Sequence, residues 1–244
     1  MRRALLSSVM LLGLSLTALG AAAGCYLDTL LKNAVERVGP TLTGTPVKVG
    51  AVRTSLRRGE LTLRRFQVRN PEGFRIQNAF TADLIRVRIR WTSLLTDTVE
   101  IEEICVEKPT VVYEGLILRN NLKHIRRNIG SLTGGRDGGG ESRGEKPRSY
   151  RVERFHVSAG EIVVGSRLLG RESDLKLGLP EVDVRGIGAQ EGGASLQQAA
   201  AELTGALTRS AGEAVRSSEV KEDILRAAER WREMIMRRRE KERP

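Results

Sequence analysis

Residues 84–91, LIRVRIRW, place Ile85, Val87, Ile89 and Trp91 at one parity and Arg86, Arg88 and Arg90 at the other. Alternation with period two puts successive side chains on opposite faces of an extended strand. The run therefore predicts a β-strand with one buried face and one face that is a ladder of guanidinium groups. Upstream, Val47, Val49, Leu61 and Leu63 alternate in the same way, until the phase slips by one at Arg64-Arg65 and Phe66 and Val68 become the apolar positions. One extra residue in a strand, a β-bulge, produces such a slip. Downstream, Val99, Ile101, Ile104 and Val106 slip again at Glu102-Glu103, and the polar positions are held by Glu100, Glu102, Glu103 and Glu107. Setting this acidic strand beside Arg86, Arg88 and Arg90 pairs opposite charges across the ladder, at about 0.2–1 kcal/mol per pair.

Around this sheet the periodicity changes. Leu27, Leu30, Leu31, Ala34, Val35 and Val38 recur at helical spacing, and Gly39-Pro40 follows as a stop. An amphipathic helix of this kind needs a sheet or another helix to cover its stripe. Asn120-Asn121-Leu122 opens a short helix that runs to Ile129. Residues 130–149, rich in Gly, Ser and charge, cannot bury a core and predict a flexible loop. Alternation returns over 150–190, from Val152, Phe155 and Val157 to Val182 and Val184, as remaining strands of the same sheet. Residues 195–244 predict C-terminal helices, the last one ending in Arg237, Arg238, Arg239 and Lys241. The fold class that follows is α+β, with one domain built of an amphipathic helix, a bulged sheet and C-terminal helices.

The formal charge of +11 calls for an anionic partner. Binding of single-stranded nucleic acid relies on aromatic rings interleaved with the cations, and only 4% of the residues are aromatic. A membrane surface with acidic lipids is the better match and nucleic acid is not expected. Arg86, Arg88, Arg90, Arg237, Arg238 and Arg239 are the candidate contacts with that surface.

Residues 1–25 read as a signal anchor or a lipoprotein signal. Arg2 and Arg3 precede a stretch, Ala4 to Gly24, with no Asp, Glu, Lys or Arg. Its length is near the roughly 20 residues that span a bilayer core as a helix. Arginines on the cytoplasmic side would place the rest of the chain on the far side. Ala22, Ala23, Gly24 and Cys25 also resemble a lipobox, which makes Cys25 a candidate lipidation site. Both readings attach the domain to a membrane outside the cytoplasm.

Little in the chain points to catalysis. Its two histidines, His124 and His156, have no metal-ligand partner at motif spacing. There is no G-x-S-x-G elbow or Walker loop, and adjacent carboxylates such as Glu102-Glu103 point to opposite faces of a strand. Cys105 reads as a small buried apolar residue. Neither an enzyme nor a cofactor or metal is expected.

Residues 26–129, and more loosely those up to about 185, resemble the N-terminal module of short AsmA-like bacterial envelope proteins. The resemblance is carried by GTPVKVGAV, LTLRRFQVRNPEGF, WTSLLTDTVEIEEICVEKPTVVYEG and RNNLKHIRRNI. Its most specific part is the turn Asn70, Pro71, Glu72, Gly73 and Phe74, where Pro71 presets a turn, Gly73 frees φ and Phe74 is expected to return to the core. The resemblance implies a periplasmic, inner-membrane-anchored protein with a helix packed on a curved, bulged antiparallel sheet, related to the starting module of bridge-like lipid-transfer proteins. It further implies a role in outer-membrane biogenesis or lipid handling, with phospholipid or an envelope protein as partner. The chain is too short for a long lipid-conducting groove, so the expectation is a small lipid-binding or scaffolding module. The alternative is a basic scaffold for anionic headgroups or polymer.

Overall fold

A computed structural model describes residues 24–116, 119–131, 148–158, 160–165, 174–190 and 192–217, with residues 229 and 233. Residues 24–43 form helix α1. Four strands follow, β1 (Val47–Ser55), β2 (Glu60–Arg69), β3 (Asn78–Ile89) and β4 (Thr98–Tyr113), with a 3-10 helix at Trp91–Leu95. A short ribbon of β5 (Gly115–Leu116) and β6 (Arg119–Asn120) leads into α2 (Asn121–Ser131). Then come β7 (Ser149–Val157), β8 (Gly160–Val164), β9 (Leu175–Leu179), β10 (Val182–Ile187) and α3 (Leu196–Ser217). The fold is α+β, with a curved, open, mostly antiparallel sheet.

The sheet order is β1-β2-β3-β4-β7-β10, with β8 and β9 continuing beside the far half of β4. One junction departs from the expected antiparallel pairing, since β4 runs parallel to both β7 and β8. A parallel neighbour requires a crossover of a dozen or more residues. The chain from Glu114 to Arg148, which includes α2, supplies it. Alternation alone carries no strand direction, so this junction was not legible from it.

A single line of irregular residues crosses the sheet. Val49 pairs with Phe66 and Ala51 with Arg64, Phe66 with Ala82 and Arg64 with Leu84, Ala82 with Pro109 and Leu84 with Glu107. Between these pairs lie Gly50, Arg65, Asp83 and Lys108. Burial parity changes at each of them, for example from Leu63 to Val68 across exposed Arg64 and Arg65, and from Val106 to Pro109 across Glu107 and Lys108. Arg65 and Lys108 sit in the left-handed region at φ 50° and 48°. On the same line Lys108 N donates to Ser158 Oγ at 3.3 Å, between β7 and β8. Pro180-Glu181 interrupts β9 and β10 opposite it, because Gly160 pairs with Leu179 and Val157 with Val182.

β1 to β4 thus each insert one residue at the same level, and their pairing register survives there. This corrects the bulge expected at Arg64-Arg65: the phase slip is there, but the pairing register does not shift. True register shifts occur at Glu102, opposite Arg88 and Ile89, and at Val68-Arg69.

Helices α1, α2 and α3 lie on one face. Leu31 and Val35 of α1 pack on Val49, Val52 and Leu63. Along the β1 edge, Val49 N donates to Glu36 Oε1 at 2.9 Å and Thr54 N to Asp28 Oδ1 at 2.7 Å. These carboxylates occupy edge amides that would otherwise template another strand. Ile125 and Ile129 of α2 cover Val47, Val68 and Ala79, while α3 covers the largest cluster, around Val152, Phe155, Val157 and Ile162. Ser195 and Gln198 form a capping box at the start of α3, with Gln198 N donating to Ser195 Oγ at 3.1 Å and Ser195 N to Gln198 Oε1 at 2.8 Å.

Several expected burials are corrected. Trp91 leaves the strand, heads the 3-10 helix and is 59% exposed. Phe74 is half-buried and joins none of the core clusters, while Pro71 is the buried residue of its turn. In α1, Leu30, Ala34 and Val38 stay exposed, and Leu31 and Val35 are the stripe residues packed on the sheet core.

Candidate functional site: an apolar cleft between sheet and helices

Where α2 and α3 pass over the transverse line, the sheet and the helices leave a partly open cleft of about 270 Å³. Its floor is Phe66, Val68, Phe80, Ile85, Ile104, Val106 and Phe155, and its roof is Leu122, Ile125 and Ile129 from α2 with Leu203 and Leu207 from α3. Phe66 and Phe80 meet edge to face, with ring centroids 6.1 Å apart. Two of the three threonine hydroxyls at the wall bond to backbone: Thr208 Oγ1 donates to Thr204 O at 2.7 Å and Thr43 Oγ1 to Gly39 O at 3.0 Å. Among the described residues no charged side chain lines the cleft.

Packed interiors rarely hold voids larger than a water molecule. At about 24 cal/mol per Å³, a fully enclosed void of this size would cost roughly 6 kcal/mol, comparable with the whole stability of a small domain. The open side lowers that cost, and the wall offers water almost no partners. An apolar occupant is what this surface can hold. Among the described residues no titratable group lines the wall.

The turn from Asn70 to Gln77, between the cleft residues Val68 and Ala79, is held by a polar network. Asn70 N donates to Gln77 O at 3.0 Å and Asn70 Nδ2 to Ile76 O at 2.7 Å, closing the turn with Gly73 at φ 92°. Asn121 Nδ2 reaches both Asn70 Oδ1 at 2.7 Å and Val112 O at 2.8 Å. Asn120 caps α2 by accepting from Lys123 N at 2.7 Å. Glu72 is exposed. Sequence reasoning missed Glu114. This buried carboxylate accepts from Arg75 N and Ile76 N, each at 2.9 Å, and its own N–H donates to Asn121 Oδ1 at 3.0 Å. An acidic residue next to glycine carries no local signal for such a role; the partners are 38 and 39 positions away.

The opposite sheet face is an ion-pair lattice. Arg86 faces Glu107 at 3.1 Å and Glu60 at 3.8 Å, and Arg88 faces Glu103 at 3.3 Å. Arg90 contacts Glu100, and also Glu102 at 3.8 Å and Glu153 at 3.3 Å. Each of the three arginines is therefore engaged by carboxylates of other strands of the sheet. Arg237, Arg238 and Arg239 lie outside the described residues.

Cys105, His156 and Asp183 stand side by side across β4, β7 and β10 on this face. Cys105 is half-buried there and does not sit in the core as expected. The row does not form a nucleophilic triad. Burial, aided by Glu107, pushes the Cys105 thiol up, away from the reactive thiolate. Asp183 is taken by Arg154, whose Nε and Nη2 donate to it at 2.9 and 2.6 Å and hold its carboxyl below the usual range. His124 is exposed on α2, and Cys25 is exposed in the first turn of α1. Among the described residues no group of three or more metal-ligating side chains converges, and no helix is long and apolar enough to cross a membrane.

Searched against protein-family models and curated proteins, the chain matches none of them.

Proposed function

We propose that this chain is a non-enzymatic, membrane-attached lipid-binding module of a bacterial envelope, with the cleft under α2 and α3 receiving an acyl chain. The observation that carries the reading is the apolar cleft of about 270 Å³ without a charged wall residue. Its volume is just below the usual range of small-ligand pockets, about 300–1,000 Å³, which suits one chain segment better than a whole phospholipid. The uncharged stretch Ala4 to Gly24 and the AsmA-like residues of the signature turn support attachment and a periplasmic setting. The carboxylates facing Arg86, Arg88 and Arg90 argue against the basic-scaffold alternative on that face.

Native mass spectrometry of the detergent-extracted full-length chain tests the proposal, together with displacement of a fluorescent fatty acid. Co-purifying lipid and saturable probe binding are expected, and both are expected to be lost in Leu207→Trp, which fills the cleft. A folded wild-type chain that carries no lipid and binds no probe would overturn it.

A further inference from the structure

The end of the sheet where β1 turns into β2 inverts the normal order of burial. Leu56 is 73% exposed, and in the 3-10 helix Trp91, Leu94 and Leu95 are 59%, 41% and 85% exposed. Ser93, between them, is 5% exposed, with its hydroxyl donating to Arg90 O at 2.6 Å and accepting from Glu100 N at 2.9 Å. A polar residue is thus used to pin the turn while the large apolar residues face outward. Isolated exposed leucines need no explanation, but a contiguous apolar group does.

These residues share one tip. Ile89 N donates to Gly59 O at 2.7 Å, and Gly59 packs so closely on the Ile89 carbonyl that a side chain there would overlap it. The tip also carries Arg57 and Arg58, both exposed and in no ion pair among the described residues. Helix α1 begins at the same end, since Asp28 of its first turns accepts from both Thr54 N and Thr54 Oγ1 at 2.7 Å. Gly24, where α1 begins, therefore lies at the end of the sheet where the apolar group is exposed, and the uncharged run from Ala4 precedes it in the sequence.

We infer that this tip is a membrane-docking surface, with Trp91, Leu94, Leu95 and Leu56 seated in the interface of an acidic bilayer and Arg57 and Arg58 on its headgroups. Tryptophan is favoured at the boundary between headgroups and acyl chains, and arginine pairs its charge with anionic lipid while laying its stem along apolar surface. The inference rests on the membrane attachment proposed above and is independent of what fills the cleft. It gives the domain a fixed orientation, with β3 leading inward from Trp91 through half-buried Ile89 and Val87 to Ile85 in the cleft floor.

The test uses the full chain with Trp231→Phe, which leaves Trp91 as the sole tryptophan. It is reconstituted in vesicles of phosphatidylcholine with phosphatidylglycerol, with and without brominated acyl chains. Flotation with the vesicles reports attachment, and quenching of Trp91 by the brominated lipid reports docking. Flotation with a blue-shifted, quenched Trp91 is expected. Arg57→Gln with Arg58→Gln should lower the docked-to-undocked ratio about 25-fold, at roughly 5-fold per arginine. Leu95→Asp, at an exposed position that leaves the fold intact by circular dichroism, should abolish quenching. Flotation with an unquenched, water-exposed Trp91 overturns docking alone, and failure to float overturns the attachment as well. Shielding of Trp91 that follows protein density and ignores bromination would show contact with a second copy and also overturn it.

Discussion

Glu114 is the side chain on which the turn from Asn70 to Gln77 depends, because it satisfies two consecutive backbone amides that nothing else reaches. A buried donor left without a partner costs about 1–3 kcal/mol. Glu114→Ala is therefore expected to lose about 2–4 kcal/mol in urea unfolding, and Glu114→Gln less, since one acceptor oxygen remains. Tyr113 is the other informative residue at this scale. Burial raises its phenol, against a smaller opposing effect of the hydrogen bond from Asn120 Nδ2 to its hydroxyl at 3.0 Å. A raised acid pKa means that the folded state holds the proton longer than the unfolded state. Stability then falls as pH rises from the ordinary phenol value to the raised one, and levels off above it. In an alkaline absorbance titration of the three tyrosines, Tyr113 should ionise after the ordinary range, and Tyr113→Phe should remove that late step.

At the scale of elements, the transverse line explains how a long sheet keeps one apolar face through a bend. A lone bulge in β2 would break pairing with β1 and β3; matching insertions at Gly50, Asp83 and Lys108 leave the pairing intact. The left-handed backbone at Arg65 and Lys108 disfavours a branched side chain most. Arg65→Val and Lys108→Val are each expected to cost about 1–3 kcal/mol, whereas Arg65→Gly should not destabilise; chemical denaturation of the three variants decides the matter. The phase slips at Arg64-Arg65 and Glu102-Glu103 are visible in the residues themselves. That the first is shared by all the neighbouring strands, while the second is a true register shift, depends on which strands pair.

The whole molecule has two unlike faces. Helices and cleft occupy one, and the other is covered by arginines and carboxylates drawn from β2, β3, β4, β7 and β10. Partly exposed pairs of this kind are worth about 0–1 kcal/mol each. A double-mutant cycle on Arg88 and Glu103, 3.3 Å apart with side chains 44% and 23% exposed, should give a coupling below about 1 kcal/mol that shrinks with salt. A much larger coupling would show that the lattice is a principal source of stability and more than a solvated face.

By itself the sequence determined the α+β class, the strands around LIRVRIRW, the helices at 24–43, 121–131 and 196–217 in outline, and the pairing of arginines with glutamates. All of these follow from periodicity, capping residues and charge, which are local properties. Only the tertiary structure decided the parallel junction at β4, the place of Cys105 on the charged face, the role of Glu114, the cleft, and the outward turn of Trp91, Leu94 and Leu95. Each of these depends on which residues far apart in the chain come together, and alternation says that a side chain has a face without saying what covers it. Trp91 shows the difference most plainly: it continues the apolar parity of Ile85, Val87 and Ile89, yet the strand ends at Ile89 and the 3-10 helix carries its ring outside.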